Sequence, residues 1–179
     1  MRLKILVPLA LALGIAVPLS MTACGGEDTT GSTGGDGACF DYASFEGMSP
    51  AVSFRTDVLP TFQNSCGLSA SCHGSQSGPI AQPYLGPPKS AGTATDSDID
   101  AIFAANVNVA STKETGMKIV TPGDPANSFL MHKVDNSLKC ETLKCGTNCG
   151  GAMPLGTPAL AQEQRDKIRR WIAQGAKND

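Results

Sequence analysis

The stretch Asn64-Ser65-Cys66-Gly67-Leu68-Ser69-Ala70-Ser71-Cys72-His73-Gly74 places two thiols and an imidazole close together in the chain. A cysteine pair with histidine directly after it is the residue set that fixes a haem. In C-x-x-C-H both thiols add to the haem vinyl groups and the histidine binds the iron, so the spacing reflects the size of the porphyrin. Here five residues, 67 to 71, separate the cysteines, and the position three before Cys72 is Ser69. This spacing predicts a thioether through Cys72, with Cys66 either looping round to the second vinyl or paired elsewhere. His73 stays correctly placed for iron in both cases.

Iron held by one imidazole has a second axial position to fill. Met153 follows the Gly150-Gly151 pair and precedes Pro154, on a loop where a core-filling methionine is less expected, so ligand and filler readings stand level on the residues alone. His132 reads first as a surface or capping histidine, and Met117 has a similarly weak claim to iron. Trp171, at helical spacing with Ile168 and Ile172, is first a core residue.

The other cysteines depend on the compartment, which the amino end indicates. Arg2 and Lys4 form a positive start, Leu3 to Leu19 is apolar but interrupted by Pro8, Gly14 and Pro18, and Met21-Thr22-Ala23-Cys24 follows. Small residues directly before a cysteine look like a bacterial lipobox, which predicts a signal peptide over 1–23 and lipid on Cys24. The apolar run is broken and falls short of the ~20 residues a membrane span needs. Gly25 after Cys24, rather than an acidic residue, favours the outer membrane. Residues 24–38, rich in Gly, Thr and Asp, read as a flexible tether, and 39–179 as one domain. In an oxidising compartment Cys39, Cys140, Cys145 and Cys149 are disulfide candidates. Four cysteines allow three pairings, and all six beyond Cys24 would allow fifteen if no haem were bound. The cluster Cys140, Cys145, Cys149 also has a zinc-like look, but export favours disulfides.

Four short helices must position these residues. Ser53 is a good N-cap for a helix carrying Phe54, Val58, Leu59 and Phe62 into Cys66, with Pro60 starting a new turn or kinking it. Residues 74–95 hold four prolines and form a wrapping loop with Ile80, Tyr84 and Leu85 as inward anchors. A second helix runs from Ser97 or Asp98 to about Asn106, with Ile99, Ile102 and Phe103 on one face. A third starts at Asp124 with Pro125 in its first turn and carries Phe129, Leu130 and Val134. The last bears Leu160, Ile168, Trp171 and Ile172 and stops at Gly175. No segment alternates as a strand does, so the fold class is all-α. With aromatic residues only 5% of 179, the apolar core is thin, and buried cofactor area plus cross-links would supply the missing stability.

Taken in order, Asp57-Val58-Leu59-Pro60, Cys72-His73-Gly74, Val120-Thr121-Pro122-Gly123-Asp124-Pro125-Ala126-Asn127-Ser128, Met153-Pro154 and Trp171-Ile172-Ala173-Gln174-Gly175-Ala176 resemble a bacterial cytochrome c domain. The chain is similar in particular to exported domains with a P-G-D-P-x-x-S segment, an M-P dipeptide and a W-I-x-x-G-A terminus, over roughly residues 53 to 176. The resemblance implies a cytochrome c-like fold of short helices around haem c, with His73 as proximal and Met153 as distal ligand.

The function expected is that of a lipid-anchored, haem-binding electron carrier working with a redox partner protein. With strong-field ligands on both sides no coordination position is left for substrate, so the chain is not expected to be an enzyme. No Ser-His-Asp set, phosphate loop or carboxylate pair stands out. With a formal net charge of -2 and no long basic run, nothing suggests nucleic-acid binding, and no nucleic-acid partner is expected. The alternative is a haem-free, disulfide-stapled surface lipoprotein that binds a partner on a cytochrome c-like scaffold.

Overall fold

The computed structural model describes residues 39–78, 82–140, 143–144 and 149–179. The expected signal peptide and tether with Cys24, and also Ile80 and Cys145, lie outside the described residues.

The first helix, α1, runs through 54–66 in three pieces, with π-helical turns Phe54–Val58 and Phe62–Cys66 on either side of an α-helical turn Leu59–Thr61. Ser53 caps it by accepting the Thr56 amide, and Asp57 returns the favour at the Ser53 amide. Pro60 explains the irregular pattern: it has no N–H to donate and its ring crowds the carbonyl four residues earlier. The ladder shifts to wider bonds around it, Leu59 N–H to Phe54 O and Gly67 N–H to Phe62 O.

Helix α2 is Asp96–Asn106, starting one or two residues earlier than the Ser97 or Asp98 that the sequence indicated. Thr95 and Asp98 close a capping box there, and Asp96 and Asp98 sit in the first turn, where negative charge suits the helix dipole. The third helix starts later than Asp124. Asp124 caps only a 3-10 turn, Pro125–Asn127, and Ser128 is extended. Helix α3 proper is Phe129–Val134, because the amides of Phe129 and Leu130 pair with the carbonyls of Lys118 and Ile119 in the preceding segment. Helix α4 is Gln162–Ala173, closed as a Schellman motif: Gly175 has φ +101 and the Ala176 amide reaches the Trp171 carbonyl at 2.8 Å.

All regular elements among the described residues are thus helical. The only strand-like pairings there are three isolated bridges that link 107–110 to 118–120 and Lys118 to Ser128. α4 packs on α1 and α3. Phe54, Phe62, Phe103 and Trp171 fill the space between α1, α2 and α4, with Trp171 buried 5.2 Å from Phe54 and its Nε1–H donated to the Lys177 carbonyl. Tyr84 and Leu85 are buried, as the reading of the wrapping loop required.

A second, polar core fixes the amino end of the domain. The Asp135 carboxylate is buried and receives the Arg169 guanidinium at 2.7 and 2.8 Å, Arg165 at 3.2 Å and the Tyr42 hydroxyl at 3.0 Å. Phe40 lies 3.6 Å from the Arg169 guanidinium carbon, and Cys39 is joined to Cys140 by a disulfide across 101 residues of sequence.

Candidate functional site

Cys66 is the last residue of α1 and is buried. Beyond it the chain coils into a tight turn: the amides of Cys72 and Gly74 both donate to the Ser69 carbonyl, at 3.1 and 3.0 Å, and the His73 amide donates to the Cys66 carbonyl at 3.1 Å. The five-residue spacer 67–71 therefore folds as a compact loop and returns His73 to the end of the helix. Glycines allow the closure. A Cβ on Gly74 would stand 2.6 Å from the Gly67 carbonyl and 2.8 Å from that of Ser69, and one on Gly67 would meet the Gly86 carbonyl at 2.4 Å.

His73 is held from three sides. Its amide is tied to Cys66, its carbonyl accepts the Leu85 amide at 2.9 Å, and Nδ1 lies 2.8 Å from the Pro83 carbonyl. A carbonyl oxygen only accepts, so Nδ1 carries the ring proton and Nε2 carries the lone pair. Nε2 has no hydrogen-bond partner among the described residues. Burial holds the imidazole pKa below its ordinary value, so the ring stays neutral and able to donate that lone pair. The strap carrying Pro83 and Leu85 is fixed in turn by Asn106, whose Nδ2 donates to the Tyr84 and Ile102 carbonyls, each at 2.7 Å. Asn106 was missed in the sequence. Its signal was its place one turn after Ile102 on the apolar face of α2, where a buried amide must find backbone partners.

Nε2 belongs to a side chain on the wall of a cavity of about 380 Å³, within the size range of small-molecule and cofactor sites. Cys66, Cys72, His73 and Met153 all line it, so one cavity gathers the four residues singled out as haem-binding. Leu85, Ile119, Phe129, Leu130 and Val134 make the rest of the wall largely apolar. The Met153 amide donates to the Lys133 carbonyl at 2.8 Å, which joins the Met153 loop to α3. Burial, and after it the charge of Cys72, pushes the Cys66 thiol pKa up to about 12. Cys72 is half-buried and within 3.5 Å of the Ser69 hydroxyl.

The other candidates fall elsewhere. His132 is buried rather than on the surface, with Nε2 2.9 Å from the Ala126 carbonyl and Nδ1 2.9 Å from the Ser137 hydroxyl. Both nitrogens are committed, so it has no lone pair to offer. Met117 packs with Phe129 and Cys149. Trp171 does not line the cavity. Of the four disulfide candidates, Cys39 pairs with Cys140, Cys149 is also disulfide-bonded, and Cys145 lies outside the described residues. Cys66 and Cys72 are free thiols.

The donor set fits a haem: a neutral imidazole presenting Nε2, a thioether, two free thiols and a largely apolar cavity. No group of three or more His, Cys, Asp or Glu side chains converges as a metal-ion cluster among the described residues. Compared with known proteins, the chain matches no family, no curated protein and no solved structure.

Proposed function

We propose that this chain is a haem-binding electron carrier of the cytochrome c type, with the cytochrome c fold, exported and held to a membrane by lipid on Cys24. The observation that carries the reading is the meeting of Cys66, Cys72, His73 and Met153 on one apolar cavity, although Met153 is distant in sequence from the other three. When bound, haem supplies a one-electron ferric and ferrous couple. His73 offers Nε2 with its tautomer set by Pro83, and Met153 offers a soft thioether that favours the ferrous state. Cys72 would anchor the haem through its sulfur, its S–H adding across a vinyl group, and Cys66 would be an optional second anchor. With His73 and Met153 both taken up as iron ligands, no position would be left for substrate, and the role is electron exchange with a redox partner protein.

The test is a visible spectrum of the full chain exported alongside haem-attachment machinery, with Met153→Ala beside it. Wild type should give a six-coordinate haem spectrum, with colour that resists extraction into acidified organic solvent. Met153→Ala should open one coordination site, lower the reduction potential and let the ferrous protein bind carbon monoxide. Unchanged spectrum and potential in that variant would reduce Met153 to packing.

A second reading rests on the two free thiols, which both lie on the wall of the same cavity. If mass spectrometry finds a Cys66–Cys72 disulfide and no haem in protein made with the attachment machinery, the chain is a haem-free, disulfide-stapled lipoprotein that binds a partner.

A further inference from the structure

Lys133 does not use its charge on a carboxylate: among the described residues no acidic side chain forms an ion pair with it. Its ammonium instead turns from α3 to the loop before Met153, donating to the carbonyls of Cys149 at 2.7 Å and Gly151 at 2.6 Å. Its own carbonyl accepts the Met153 amide at 2.8 Å. Gly150 sits between the two bonded carbonyls with φ +72, and a Cβ there would lie 3.2 Å from the ammonium nitrogen. One residue thus clasps the segment 149–153 at both ends, by side chain and by backbone.

Cys149 is fixed by its disulfide and by packing with Met117 and Phe129, but beyond it the segment offers little side chain to hold it. Gly150 and Gly151 lack side chains to pack, and glycine loses more backbone freedom on ordering than any other residue. Charge-assisted bonds are the stronger class of hydrogen bond, and two of them from one rigidly based helix residue oppose that loss. We propose that Lys133 is the positioning residue for Met153, holding its loop so that the thioether faces the cavity before any cofactor arrives. This rests on the reading of Met153 as an iron ligand given above.

The experiment uses the full chain with Lys133→Leu, which keeps an apolar stem and removes the ammonium without bringing a second thioether to the cavity that Lys133 also lines. Lys133→Gln, too short to reach both carbonyls, serves by the same criteria should the first variant not fold. In the haem-free protein, amide hydrogen exchange at Met153 should quicken by about tenfold or more while that at Leu85 stays within about twofold, because the clasp is local. Equal quickening at both amides, or none at Met153, overturns the proposal. In haem-loaded protein the ferrous variant should bind carbon monoxide where wild type does not, and retained methionine ligation overturns the proposal as well. Wild type that takes up no haem overturns the function proposed above and with it the ligand role of Met153, and exchange in the haem-free chain then reads only how Lys133 holds the loop.

Discussion

At His132 both ring nitrogens are taken, by the Ala126 carbonyl and the Ser137 hydroxyl, whereas His73 commits only Nδ1. Burial lowers the pKa of both below the ordinary 6.5. An unfolded chain therefore binds protons that the folded chain refuses, and stability is present above about pH 6.5 and falls as pH drops below it. His132→Asn should flatten that decline in the haem-free protein. Urea titrations between pH 7.5 and 5 would show it, and an undiminished slope in the variant would assign the decline to His73 and the carboxylates. The thiols differ as well. With its pKa pushed up to about 12, Cys66 should resist alkylation at pH 8 while half-buried Cys72 reacts, and peptide mass mapping after brief iodoacetamide treatment distinguishes the two. The side chains that meet the cavity were legible because thiol, imidazole and thioether have few other uses on loops. The burial of His132 was not, since a lone histidine in a short helix carries no periodic sign of which way it faces.

Helices were legible where apolar spacing and caps agreed, as at Ser53 and Gly175, and less so where backbone pairing intervened. The delayed start of α3 arises from the Lys118 and Ile119 carbonyls, which claim the first-turn amides, and no local pattern announces a partner so placed. The π-turns of α1 were half visible, since Pro60 signalled a disturbance but not its form. The loop from Cys66 to His73 depended on long-range closure in the same way. Its length departs from the C-x-x-C-H spacing, and the Ser69 carbonyl draws it into a closed turn by gathering two amides. Gly74→Ala should disturb this element specifically. A Cβ facing two carbonyl oxygens at under 3 Å forces the loop open, at a cost of about 1–3 kcal/mol, measurable as a lower urea midpoint. A midpoint equal to wild type would show that the loop yields without resistance.

Across the whole molecule, two cores of opposite character divide the work of holding four short helices. The apolar one was expected from the aromatic positions. The polar one was not, because nothing in the sequence distinguishes Asp135 and Arg169 from surface charges, although both side chains are fully buried. Asp135→Asn leaves the buried Arg165 and Arg169 guanidinium groups with only the Asp166 carboxylate, on Arg169, as a charged partner, so it should lower stability by about 3–5 kcal/mol in chemical denaturation. A loss below about 1 kcal/mol, the range of exposed pairs, would mean that water reaches the guanidinium. The Cys39–Cys140 bridge ties the same region covalently, so the segment before α1 cannot drift from the polar core even when its ion pairs break.

Trp171, the sole tryptophan of the sequence, is buried against Phe54 and beside Phe62, one turn of α1 before Cys66. That placement gives the protein a built-in optical gauge. Light absorbed by this one indole is emitted from a fixed, dry site a short distance from the cavity. Any strongly coloured occupant of the cavity will drain that emission without touching the ring, and a colourless one will leave it bright.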